Sequence, residues 1–314
     1  METQATQTDS NPHADLWNNS GEAKLLESRL NGFWNADYFT KILLPLLDLK
    51  PGSRVLDVGS GTGALTLLLA RHLPDVQFVG VDLTESLTTT AQTQARQLGL
   101  ANVQFQEGDA MQLPFADNSF DATVCQTVLI HLSDPARAVQ EMSRVLKPGG
   151  TFMAAEFHLL FTDMPIEAGN IMPDDEKLSE QGRLGQLIVK GYRVLGQGDM
   201  QLGGRVPFLA YKAGFRIADV RINDHVTHAF PPYNRMADRM ALEELQGWEA
   251  MAKEPSYRAF LIEAMEAGGG TEADVEALLK LFPSHTPEVL AGQTDFAFLW
   301  LINPVLLVTI AHKP

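Results

Sequence analysis

The run Val55-Leu56-Asp57-Val58-Gly59-Ser60-Gly61-Thr62-Gly63 holds the residue types best suited to chemistry. Val55, Leu56 and Val58 suit a buried parallel strand. The three glycines allow a tight turn and let a ligand lie against bare backbone. A leucine-rich stretch from Ala64 to Leu73 reads as a helix, whose first turn offers free N–H groups and a positive dipole end. Asp57, at the end of the strand, suits a cation or a hydroxyl. An acid beside a glycine cradle fits a zwitterionic or cationic ligand better than a pyrophosphate.

Gly59-Ser60-Gly61-Thr62-Gly63-Ala64 also reads as G-x-G-x-x-A, the fingerprint of a dinucleotide fold. Three later signals bear on the choice. Val76 to Asp82 is a second buried strand ending in an acid, and Asp82 lies 23 residues after Gly59, where an acid takes a ribose diol. Val103 to Ala110 is a third strand ending in Gly108-Asp109-Ala110, where an acid can accept from an adenine amino group. Phe120 to Gln126 is a fourth, leading through Ile130-His131 and Asp134-Pro135 into a helix. That helix ends at Leu146-Lys147-Pro148-Gly149-Gly150, and Thr151 to Phe157 is a fifth strand.

In order and spacing the series resembles the class I S-adenosylmethionine (SAM)-dependent methyltransferases, in particular the ubiquinone/menaquinone C-methyltransferase-like small-molecule group. The resemblance covers roughly residues 35 to 160. It implies a Rossmann-like, seven-stranded, mostly parallel α/β sheet with an antiparallel last strand. SAM is the implied cofactor and S-adenosylhomocysteine the product. Asp57 and the loop Gly59, Ser60, Gly61 and Gly63 would hold the methionine part. Asp82 would take the ribose, and Leu83 would pack on adenine. Asp109 and Ala110 would fix the adenine edge, and Gln126 would lie beside the methionyl group or sulfur.

Methyl transfer from a sulfonium needs alignment and exclusion of water, with a base only if the acceptor keeps its proton. His131, after the fourth strand, is the first candidate for base or orienting group; capping of the next helix explains it equally. Glu156 and His158 end the fifth strand and are expected to point toward the mouth. Glu156-Phe157 matches the Glu-Phe of the quinone C-methyltransferases. Trp34 and Tyr38 could close over cofactor or acceptor, or pack in the core. His225, after the sixth strand, joins Trp34, Tyr38, Glu156 and His158 as a candidate substrate residue; it is spaced i, i+3 from His228, but a metal needs two or three convergent ligands, so no metal is expected.

The elements around these residues alternate strand and helix from Arg54 to Phe157, as in a parallel sheet covered on both faces. Thr84 is placed to cap Glu85 to Leu98, and Gly99 to end it. Residues 1–15 read as a flexible tail without signal-peptide features, and 16–50 as N-terminal helices, Ala23 to Leu30 and Ala36 to Leu47. The core is expected over 51–224, with 158–205 as a lid or insertion that is loop to 182 and helix from Gly182 to Leu195. Sixth and last strands are expected at Phe215 to Ile222 and Val305 to Ala311. Residues 225–297 are expected to form a helical cap insertion with helices Asn234 to Lys253, Ser256 to Ala267 and Thr271 to Leu281, and 298–314 to supply the last core strand. The insertion could cap a substrate or pair two copies in a homodimer.

The 314 residues carry a formal net charge of −15 and 45% apolar residues, enough for a full core. The acidity disfavours nucleic acid and anionic membranes. One cysteine, Cys125, excludes an internal disulfide. Phe296 to Ile310 is apolar but too short to span a bilayer comfortably, so a cytoplasmic location is expected. The function expected is methyl transfer to oxygen or carbon of a small, largely apolar or aromatic metabolite. The alternatives are a SAM-binding protein with a cyclase, isomerase or regulatory role, and an NAD-dependent oxidoreductase.

Overall fold

The computed structural model of the chain describes residues 33–34, 36–158, 175–224, 228–229, 238, 250, 253–281, 298–299 and 306–314. Among them, β1 (Arg54–Val58), β2 (Gln77–Asp82), β3 (Val103–Glu107), β4 (Phe120–Gln126), β5 (Leu146–Phe157), β6 (Arg216–Ile222) and β9 (Leu306–His312) form one seven-stranded sheet. Its order is β3-β2-β1-β4-β5-β9-β6. β1 to β5 run parallel, and β9 lies antiparallel to both β5 and β6. This is the expected Rossmann-like architecture. The central strands read as near-continuous apolar runs because both faces are covered: Val55, Leu56, Val58, Val124 and Cys125 have no exposed surface.

One face carries the helical stretch α1, made of Ala36–Tyr38, a π turn Phe39–Leu43 and Leu44–Leu46, with α2 (Ala64–His72) and α3 (Glu85–Gln97) around β1 to β3. The other carries α4 (Pro135–Val145) and α6 (Val206–Lys212), whose apolar sides join Met142, Phe152 and Phe215 in the core. Asp134 caps α4 by accepting the Arg137 N–H at 3.0 Å. Thr84 stands at the N-cap of α3 without capping it. Its amide instead donates to Asp82.

β5 begins at Leu146, earlier than the expected Thr151. Leu146 pairs with Phe120, and the register shifts before Ala122 pairs with Thr151. Pro148-Gly149-Gly150 is therefore a bulge within the strand rather than a turn ahead of it. A side chain at Gly150 would sit 2.8 Å from the Asp121 carbonyl.

The helix expected from Gly182 starts at Asp175, as α5 (Asp175–Val194), so the last part of the expected loop is helical. The rest of that loop, 159–174, lies outside the described residues, as do the expected helix Ala23 to Leu30 and nearly all of Asn234 to Lys253. The other two expected insertion helices are α7 (Pro255–Gly268) and α8 (Glu272–Leu281), separated at Gly269 in the left-handed conformation. The short strands β7 (His228–Ala229) and β8 (Phe298–Leu299) pair antiparallel in a separate two-stranded sheet, so Phe298–Leu299 stand outside the core sheet that residues 298–314 are expected to join.

α5 has two apolar faces. Val189 joins the main core, while Leu184 packs with Leu261, Met265 and Val275 of α7 and α8. The helices cross at glycines. A Cβ at Gly191 would lie 1.7 Å from the Ala264 carbonyl oxygen, and one at Gly268 would lie 2.0 Å from that of Leu187. Gly191→Ala should therefore push α5 from α7 and cost about 1–3 kcal/mol of stability, read as a lowered midpoint in urea unfolding. An unchanged midpoint would show that the helices can separate freely.

Candidate functional site

The carboxyl ends of β1, β2 and β4 meet at the glycine loop, the edge where open α/β sheets bind ligands. Gly59 has φ +68°, and a Cβ there would fall 2.4 Å from a Val128 methyl, so the loop can lie against the turn after β4 only without a side chain. Gly61 has φ +53° with open space where a Cβ would stand. Its bare backbone faces room for a ligand. The Ser60 N–H donates to the Val81 carbonyl at 2.8 Å. The Ser60 hydroxyl is buried, 2.8 Å from where a Gly80 Cβ would be, and has no hydrogen-bond partner among the described residues.

Asp82 joins the loop to α3. One carboxylate oxygen accepts the Gly61 N–H at 2.9 Å and the other the Thr84 N–H at 3.0 Å. Burial raises its pKa, against the opposing pull of those two amides. Leu83 is 52% exposed beside it, an apolar side chain left in water at the lip of the loop.

Asp57 is buried and accepts a hydrogen bond from the Thr66 hydroxyl of α2. Burial pushes its pKa up to about 7; the Thr66 bond opposes this and the Asp82 charge adds to it. Asp109 accepts the Met111 N–H at 2.8 Å, shaping the turn that contains the buried Ala110. That turn is clamped from α4: Arg144 donates to the carbonyls of Leu113 and Phe115 and pairs with Glu141, whose carboxylate also accepts the Leu113 N–H.

Gln126 ends β4. Its amide oxygen accepts the Trp34 indole N–H at 2.8 Å in a buried contact. Indole donates only, so the amide NH2 turns away from Trp34. Trp34 stacks on Tyr38 at 6.2 Å, and the Tyr38 hydroxyl donates to the Ile222 carbonyl at 2.9 Å. Asn223 completes this attachment: its side chain donates to the Phe33 carbonyl at 3.1 Å and accepts the Leu306 N–H at 2.9 Å. The N-terminal aromatics are thus held over the end of β4. Asn223 escaped sequence reasoning, its one signal being a polar residue at the end of a strand.

Thr127 follows with φ +54°, a left-handed conformation that is costly for a β-branched residue. His131 ends the 3-10 turn Leu129–His131 and is half-buried. The segment after α5 lies against it. The Asp199 N–H donates to the Ile130 carbonyl at 2.7 Å, and a Cβ at Gly198 would lie 1.8 Å from that oxygen. His158 is half-buried, and its Nδ1–H donates to the Gln201 carbonyl at 2.9 Å.

Glu156 does not face the mouth. It has no exposed surface. Its carboxylate accepts the N–H groups of Val128 at 3.0 Å, Leu129 at 2.9 Å and Ile130 at 3.4 Å. Period-two alternation turns it inward, behind the turn rather than in front of it. Burial pushes its pKa up to about 7 despite these amides. His225 lies outside the described residues. Among the described residues no group of three or more His, Cys, Asp or Glu could hold a metal, and no helix is long and apolar enough to cross a membrane.

A family model described as "Methyltransferase domain" matches residues 49–193. The chain is 36% identical over 148 residues to the ubiquinone/menaquinone biosynthesis C-methyltransferase UbiE of Teredinibacter turnerae, covering 45% of this chain and 59% of that protein. The match thus spans little more than half of that relative's length. Among solved structures the chain is similar to the 4+2 cyclase SpnF, with 23% identity over 94% of this chain and 93% of that one and a TM-score of 0.56. It is also similar to phosphoethanolamine N-methyltransferase 2 of Haemonchus contortus, solved with S-adenosyl-L-methionine, with 17% identity over 96% of this chain and 60% of that one and a TM-score of 0.52. At these identities the two structures share the fold with this chain. The stretch that the family model matches, residues 49–193, is the one that carries the glycine loop and the strand-end acids.

Proposed function

We propose that the chain is a SAM-dependent methyltransferase acting on oxygen or carbon of a small, largely apolar or aromatic metabolite in the cytoplasm. The observation that carries the reading is the group at the end of β2. Asp82 is fixed by two backbone amides, beside the open backbone of Gly61 and the exposed Leu83. That group fits a nucleoside: a rigid acceptor for a diol, an apolar surface for a base, and bare peptide for the chain beyond. The Ser60 hydroxyl, without a hydrogen-bond partner among the described residues, suits a polar ligand in the same loop.

In this reading Asp82 binds the ribose, Leu83 and Ala110 hold adenine, and Asp109 orients its edge. Gln126 offers its NH2 to the methionyl carboxylate, and Asp57 balances the cationic end across the loop. SAM, when bound, supplies a methyl group already activated by its sulfonium. The protein aligns an acceptor and keeps water away. Trp34 and Tyr38 cover that space, and His131 or His158 takes a proton where the acceptor still carries one.

A SAM-binding role without methyl transfer is the second reading, favoured by the likeness in fold to a cyclase. Incubation with radiolabelled SAM and a panel of phenols, hydroquinones and enolisable carbonyl compounds separates the two. Methyl transfer is expected, and His131→Ala should lower it by about 10²–10⁴-fold with S-adenosylhomocysteine affinity kept. Binding without transfer to any acceptor would favour the second reading.

The raised pKa of Asp57 gives a pH test. A buried carboxyl whose folded pKa exceeds its unfolded value stabilises the fold at low pH, and that stability is lost as pH rises through the folded value. The window runs from the ordinary 3.8 to about 7. Asp57→Asn does not titrate, so the stability of the variant relative to the native chain should rise from pH 4.5 to pH 8, measured by urea unfolding. A constant difference would contradict the burial of this charge.

A further inference from the structure

We propose that Glu156 is a positioning residue, whose carboxylate holds the turn after β4 in the strained form that presents Gln126 to the methionine end of the S-adenosyl ligand. The inference rests on the SAM-binding reading above and assigns to that site a residue that would not touch the ligand.

Four observations converge. First, Glu156 has no exposed surface, and its carboxylate accepts three successive backbone amides at 2.9–3.4 Å. One carboxylate thereby fixes three consecutive peptide units. Second, the residue just before them, Thr127, stands at φ +54°. A β-branched residue does not hold that conformation unless its surroundings impose it. Two anchors do so, both on β5: the Thr127 N–H donates to the Ala155 carbonyl at 2.9 Å, and the next residue, Glu156, takes the amides that follow. Third, the turn presses on the cofactor loop, because Val128 fills the space that a Cβ of Gly59 would need. Fourth, Gln126 stands on the other side of Thr127, its amide oriented by Trp34.

A carboxylate suits this task better than any neutral side chain, since it only accepts and has lone pairs for all three amides. Glutamine has nearly the same shape, but its NH2 would meet an amide donor where Glu156 now accepts from Ile130. The turn must then shift or leave a buried donor unpaired. The strain at Thr127 favours the shift. Asp82, Leu83 and Asp109 lie on other strand ends and make no contact with Glu156 in the bonds described.

The consequence is selective. Loss of the carboxylate should disturb the methionine end of the site and leave the adenosine end intact. The experiment compares S-adenosylhomocysteine with adenosine by calorimetric titration of the full chain, native and Glu156→Gln, with thermal melting of each. The expected result is a melt that remains cooperative, S-adenosylhomocysteine affinity weaker by about tenfold (about 1.4 kcal/mol), and adenosine affinity changed less than about twofold. Thr127→Gly added to Glu156→Gln should recover much of the loss, since glycine holds a positive φ without strain. If Glu156→Gln fails to fold, Val128→Ala serves instead. It keeps all three amide bonds but removes the wedge against Gly59, and it should show the same selective loss in smaller degree. Equal losses for both ligands, or no loss for either, would overturn the inference. A native chain that binds neither ligand would instead sink the cofactor reading itself.

Discussion

Glu156 sits with no exposed surface behind the carboxyl edge of the sheet and gathers the amides of Val128, Leu129 and Ile130. The geometry of the site depends on that bond set. It bends the chain sharply as β4 ends, so that Val128 can press into the side-chain-free space over Gly59. Gln126 then stands beside the glycine loop, and the half-turn with His131 lies under the segment after α5. A buried carboxylate is costly, and three amide donors are the means by which a protein interior accommodates one. The raised pKa indicates that burial still outweighs them.

Much of this was legible in the sequence because local chemistry enforced it. Glycine at 59 and 61 is explained by backbone conformation and by close approach, both short-range demands. Asp82 ends an apolar run, and the strand places it beside the loop whatever the rest of the chain does. The central strands announced themselves as continuous apolar runs because both faces are covered. Pro135 after Asp134 marked a helix start for reasons contained in two residues.

What was not legible depends on partners far away in the chain. Trp34 and Gln126 are 92 residues apart, and Tyr38 reaches a carbonyl 184 residues on. Neither residue type announces such a partner. Asn223 ties Phe33 to Leu306, which no spacing rule anticipates. Glu156 departs from expectation for a related reason. Strand alternation decides whether a side chain faces the mouth or the interior, and a strand buried on both faces carries no polar pattern to reveal which. The early start of β5 was hidden by Pro148, Gly149 and Gly150, residues that ordinarily mark turns but here accommodate a bulge.

The same edge of the sheet carries both the cofactor reading and the supports that hold it, so its ligand is the point on which the account stands. The most direct measurement is calorimetric titration of the purified native chain with SAM and S-adenosylhomocysteine, with NADH as the competing ligand. Micromolar binding of both S-adenosyl compounds is expected, about −8 kcal/mol, with no comparable binding of NADH. Preference for NADH, or no binding of either S-adenosyl compound, would contradict it.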